Sequence, residues 1–69
     1  MNTHEIRTLN PGDTIMHWTP DEGWKLYIVS HRKSTFFYHD LKVVDPKGDT
    51  KKLELSYRTG EHVKLVSRK

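Results

Sequence analysis

The chain has 69 residues, a third of them hydrophobic, and carries 12 Lys and Arg against 9 Asp and Glu, a net charge of +3. That length makes one domain with one small core, and the absence of Cys rules out disulfides and thiolate zinc sites as staples. No nucleophile elbow, Gly-rich phosphate loop or acid–base dyad is spelled out, so a non-enzyme without cofactors is expected.

In chain order, residues 1–8 read as an N-terminal tail or a short edge element, with one turn of helix as a third reading. Met1 to Arg7 has no basic segment leading into an apolar one, which argues against secretion. No apolar stretch approaches the roughly 20 residues that cross a bilayer, so a cytoplasmic protein with no membrane contact is expected. Leu9-Asn10-Pro11-Gly12-Asp13 reads as a turn feeding a strand over Thr14 to Trp18. Pro20 to Gly23 then breaks the pattern. In the next run Trp24, Leu26 and Ile28 share one face, and Lys25, Tyr27 and Val29 share the other.

Ser30 to Ser34 reads as a polar, basic connection. The longest β-like run follows, Thr35 to Asp45, with Phe37, His39, Leu41 and Val43 on one parity and Phe36, Tyr38, Asp40, Lys42 and Val44 on the other. The adjacent Val43 and Val44 suggest a bulge there. Asp45-Pro46-Lys47-Gly48-Asp49 is the strongest turn signal, closing a hairpin onto Lys52 to Tyr57, where Leu53, Leu55 and Tyr57 point one way. Arg58 to Glu61 suits a single helical turn, and His62 to Val66 a last strand with Val63 and Leu65 facing the core.

These runs add up to an all-β fold, a single small antiparallel barrel of about five strands over residues 9–69. The Leu9 to Ile15 lead-in, the meander and the short turn into a final strand resemble the Src-homology-3-like small barrels over residues 9 to 66, at the level of pattern. The chain departs from the Src-homology-3 domain proper. It lacks the Ala-Leu-Tyr-Asp-Tyr run and the Trp-Trp pair, which puts a Pro-rich peptide ligand in doubt. An oligonucleotide-binding barrel would need a longer chain and a helix between strands three and four.

Charge is uneven along the chain. From Trp24 onward there are 11 Lys and Arg against 5 Asp and Glu, whereas the first 23 residues hold one Arg against four acids. The pI near 9.3 favours an acidic partner, either nucleic acid or an acidic protein surface. The leading expectation is a nucleic-acid-binding barrel of low sequence specificity. Arg32, Lys33, Lys42, Lys47, Lys51 and Lys52 would meet phosphates, and Phe36 and Tyr38 would stack on bases. The bland alternative is that Phe36 fills the core and the cations are ordinary solvated charge. The rival function is a protein-interaction module, such as a small phage- or plasmid-type regulator docking on a larger host protein through Trp18, Trp24 and Tyr27. Homo-oligomerisation through edge strands fits either reading. The five His are too scattered for a metal site.

Overall fold

Alternation of apolar and polar side chains produces strands with one buried and one outward face. In the computed structural model, which describes residues 1, 3–36, 38–56 and 62–69, a four-residue helix, α1 (Thr3–Ile6), precedes five strands. They are β1 (Thr14–Thr19), β2 (Gly23–Ser34), β3 (Tyr38–Val44), β4 (Thr50–Ser56) and β5 (Val63–Ser67). All pair antiparallel in one sheet of order β4-β3-β2-β1-β5. The protein is therefore all-β, with β4 and β5 as edges and no pairing between them among the described residues. No helix among those residues is long and apolar enough to cross a membrane.

A lone sheet has no second layer to cover its apolar face. Here the inward residues Ile15, Tyr27, Val29, Leu41, Val43, Leu53, Leu55 and Val63, from all five strands, are buried in one cluster. The sheet curls to achieve this, and the α1 turn fills the remaining space with Ile6 and Leu9. The amides of Thr8 and Leu9 close that turn on the carbonyls of Glu5 and Ile6 (3.0 and 3.1 Å). The Met1 ammonium donates to the Val63 carbonyl at 2.7 Å, tying it to β5. Residues 1–8 thus include one helical turn that completes the core.

β2 is the strand on which the curl depends. Its first half pairs with β1 (Thr19↔Gly23 to Thr14↔Ile28), and its second half pairs with β3 (Ile28↔Val44 to Ser34↔His39). The register steps from Val29↔Val43 to His31↔Lys42, so Ser30 is the extra residue of a bulge that bends the strand. Two expectations are corrected here. The bulge lies in β2 rather than at Val43 and Val44, whose faces simply alternate. Residues Ser30 to Ser34 are strand rather than connection, because the inward polar side chains of Arg32 and Ser34 find partners. Arg32 donates to the Leu9 carbonyl (3.1 Å) and to Ser34 Oγ, which in turn meets His39 Nδ1 at 2.8 Å.

β3 begins at Tyr38 rather than Thr35, since Thr35 caps the preceding turn. Its amide and hydroxyl donate to the Tyr38 carbonyl, and its hydroxyl accepts from the Tyr38 amide. Leu65, expected in the core, is 37% exposed near the register shift at Thr14/Ile15 on the sheet's edge. The Asp45–Asp49 turn forms as expected. Asp45 Oδ1 accepts the amides of Lys47 and Asp49 (both 2.9 Å), and Gly48 takes φ 92°. The expectations for Phe37, Tyr57 and Arg58 to Glu61 lie outside the described residues.

Asp13 joins the two ends of the chain. It is buried, and its carboxylate accepts the amides of Asn10 (2.9 Å) and Lys69 (3.1 Å), with Arg68 Nη1 at 3.4 Å. Arg68 reaches on to the Thr8 carbonyl and hydroxyl. Those amide hydrogen bonds, helped by Arg68, hold the carboxyl below its ordinary value of 3.8 despite burial. The stabilisation is therefore present above pH 3.8 and lost as pH falls through the lower folded value. Gly12 beside it sits at φ 98°, and a Cβ there would run into the Lys69 side chain. Asp13→Ala leaves two amides without their acceptor and is expected to cost about 1–3 kcal/mol in urea unfolding at neutral pH, with the loss shrinking in acid.

Candidate interaction surface

The outward face of the sheet is a grid whose rows follow from the registers. On β2, β3 and β4 one row is His31, Lys42 and Lys52, and the next is Lys33, Asp40 and Glu54. Lys42 and Lys52 are direct cross-strand neighbours of like charge, an arrangement that destabilises a sheet unless an anion or acid joins it. Tyr38, opposite Ser56, ends this half of the face and is 45% exposed. Phe36, in the adjoining turn, is 86% exposed.

The nucleic-acid candidates are thus divided. Lys33, Lys42, Lys52 and Tyr38 share one face, with Phe36 beside it. Arg32 points inward and is engaged by Leu9 and Ser34. Lys51 pairs in register with Val43 on the inward side, its Nζ 3.4 Å from the Tyr27 hydroxyl and 5.7 Å from that ring's centroid. Lys47 lies in the Asp45–Asp49 turn. A shift of one residue in register reverses the facing of every side chain, and the bulge at Ser30 separates Arg32 from its neighbours in this way.

The other half of the outward face is apolar. Trp24, Leu26 and Ile28 stand on β2 at 39%, 44% and 49% exposure. Across the strands Trp24 faces Trp18, Leu26 faces Met16, and Ile28 lies between Thr14 and Val44. Both tryptophans are held in place. Trp18 stacks on His62 with centroids 5.2 Å apart, and Lys64 Nζ sits 4.6 Å from the Trp24 ring centroid. Of the interaction residues expected from sequence, Trp24 is exposed and Trp18 half-buried. Tyr27 is corrected: at 3% exposure it belongs to the core, because its parity joins Val29 there. Sequence reasoning passed over Leu26, Ile28 and Val44. Their signal was the alternation that sets Leu26 and Ile28 with Trp24, which becomes informative once Tyr27 and Val29 are known to face inward.

Beside this strip an open groove of about 400 Å³ runs between Trp24 to Tyr27 and the turn residues Asp45, Pro46, Lys47 and Asp49. An adjoining depression of about 110 Å³ is lined by Leu26, Tyr27, Ile28, Val44 and Pro46. Among the described residues, no three His, Asp or Glu gather to hold a metal ion. No protein-family model matches the chain, and neither a curated protein nor a solved structure matches it.

Two histidines lie where protonation is opposed. Burial pushes His39 below its ordinary 6.5, reinforced by Arg7 and Arg32, and its Nδ1 shares a hydrogen bond with Ser34 Oγ, which accepts from Arg32. Burial likewise lowers His17, with Lys51 and His62 adding to it, and its Nδ1 has no partner among the described residues. A depressed histidine leaves stability intact above pH 6.5, and stability falls below it as the unfolded chain takes up the proton first. Unfolding free energy is therefore expected to drop as pH falls below 6.5 toward the lowered folded values, and His17→Gln should flatten that slope in denaturant titrations.

Proposed function

We propose that this chain is a non-catalytic protein-interaction module, built on a curled sheet of the Src-homology-3-like small-barrel kind, that docks on a partner protein through the outward face of β1 and β2. One observation carries the reading. Trp24, Leu26 and Ile28 form a continuous exposed apolar strip on the central strand of a chain that is only one-third hydrophobic. A small domain gains by burying such residues, and a contiguous outward set marks a contact surface. The rim supports a partner with acidic residues around its apolar anchor, since Lys64 borders the strip on one side and His31, Lys42 and Lys52 lie beyond Ile28 on the other. A small regulator acting on a larger cytoplasmic protein, as phage-encoded chains do, would present a face of this sort.

A second reading, low-specificity nucleic-acid binding, is favoured by the opposed Lys42 and Lys52 with Lys33 and exposed Tyr38 on the same face. Phosphate contacts would relieve the like-charge pair, and Tyr38 and Phe36 would supply stacking.

Two surface double variants separate these readings, Leu26→Glu with Ile28→Glu and Lys42→Glu with Lys52→Glu. Docking on a protein predicts a nuclease-resistant complex that survives about 0.5 M salt, where charge contacts are screened to a few ångströms. It should be lost in the first variant and, with rim charges screened at that salt, only weakened in the second. Nucleic-acid binding predicts the reverse, with oligonucleotide affinity falling log-linearly with salt. That second pattern would overturn the docking proposal.

A further inference from the structure

Ile28 is the one residue of β2 that the described pairings join to strands on both sides. Beyond it, the edge left by β1 is covered by the N-terminal loop. Gly12 donates to the Val29 carbonyl, Val29 donates to the Asp13 carbonyl (both 2.8 Å), and Arg32 binds the Leu9 carbonyl. Before it, on the side that β3 would occupy, Gly23 to Tyr27 have no strand beside them among the described residues. β3 ends at Val44 and the chain turns away through Asp45–Asp49. In an antiparallel pair alternate residues direct N–H and C=O away from their partner, so this stretch presents backbone groups outward. No backbone hydrogen bond joins Trp24 to Tyr27 with Asp45–Asp49 among the described residues.

The groove already described lies along this edge. Trp24, Lys25, Leu26 and Tyr27 are consecutive and point to both faces of the sheet. A groove lined by all four therefore follows the strand's edge rather than crossing one face. The far wall leaves it open to a ligand: Asp45 Oδ1 is engaged by the amides of its own turn, and Pro46 has no N–H.

We propose that this edge accepts an extended peptide segment of the partner protein as an added strand, an inference that rests on the docking reading and names its ligand. The segment's backbone pairs with β2 over Trp24 to Tyr27, and an apolar side chain on the outward parity enters the depression between Leu26, Ile28, Val44 and Pro46. The groove is continuous with the exposed Trp24, Leu26 and Ile28 strip, so its donor is a segment of the protein that covers that strip. Along its lining Lys25 is paired with Glu22, and Lys47 stands with Asp45 and Asp49, so the groove carries no excess of positive charge. An uncharged segment with alternating apolar residues fits this chemistry.

The test uses the full chain and a displayed library of random peptides about eight residues long, an ordinary strand length. Selected sequences are made synthetically with a single N-methyl group placed at each backbone amide in turn. Strand addition predicts affinity losses of about tenfold at every second position and little effect between them. It also predicts slowed hydrogen exchange at alternate amides within Trp24 to Tyr27. Peptides that lose binding to Leu26→Glu with Ile28→Glu but show no period-two N-methyl sensitivity would overturn strand addition and leave the docking face standing. Recovery of no binder would overturn the inference, as would protection of the same amides by self-association alone.

Discussion

The fold depends on one strand being shared between two ladders. A sheet of five short strands in a 69-residue chain must cover its own apolar face, and β2 makes that possible by bending at Ser30. Its first half lies with β1, and through β1 with β5; its second half lies with β3 and β4. The bend brings Ile15 and Val63 from one group against Leu41, Val43, Leu53 and Leu55 from the other. Bending a strand out of register with its neighbours exposes backbone on both sides. On one side Gly12 and Asp13 supply backbone partners to Val29, and the Arg32 side chain fastens to the Leu9 carbonyl. On the other nothing among the described residues does so, and the groove and the apolar strip are found together there.

The polar groups inside follow from the same geometry. The loop that covers the bend must be held down, and Asp13 does this from a buried position by gathering the Asn10 and Lys69 amides and Arg68. Arg32 and Ser34 turn inward after the bulge, so a run that would otherwise be solvated becomes a hydrogen-bonded line from Leu9 to His39. Buried polar side chains of this kind are tolerated only when paired, and an unpaired one is costly. Both chain termini and the bend are therefore coupled through two small networks, one acidic and one containing histidine.

Much of the architecture was legible in the chain. Turn chemistry at Pro11-Gly12-Asp13 and at Asp45 to Asp49 marked the strand ends, because those turns require φ values or side-chain acceptors that few residues provide. Alternation correctly grouped Trp24 with Leu26 and Ile28, and His39 with Leu41 and Val43. Alternation alone does not say which group faces inward, since both β2 faces are apolar. Tyr27 was misplaced for that reason. The bulge at Ser30 was hidden because Ser, His, Arg, Lys and Ser look like a loop when their partners are distant in sequence. Arg32 is stabilised in strand by Leu9, 23 positions away, which no local pattern reports. The basic surface suffered most, since charge counts add cations that the bend sends to opposite sides.

Exposure of the Trp24 to Ile28 strip also separates what folds the chain from what its surface does. The buried cluster draws on Tyr27 and Val29, so the alternate residues of the same strand are free of core packing. Trp18 and Trp24 are nevertheless ordered by His62 and Lys64, which reduces the entropy lost when a partner fixes them. A central strand that is apolar outside, preordered by its neighbours and open along part of one edge offers three forms of complementarity at one place. Side-chain burial would supply affinity, backbone pairing would set direction, and the flanking lysines would exclude basic partners. Each arises from β2 serving two ladders at once, so the constraint that closes the core also leaves the surface most suited to binding.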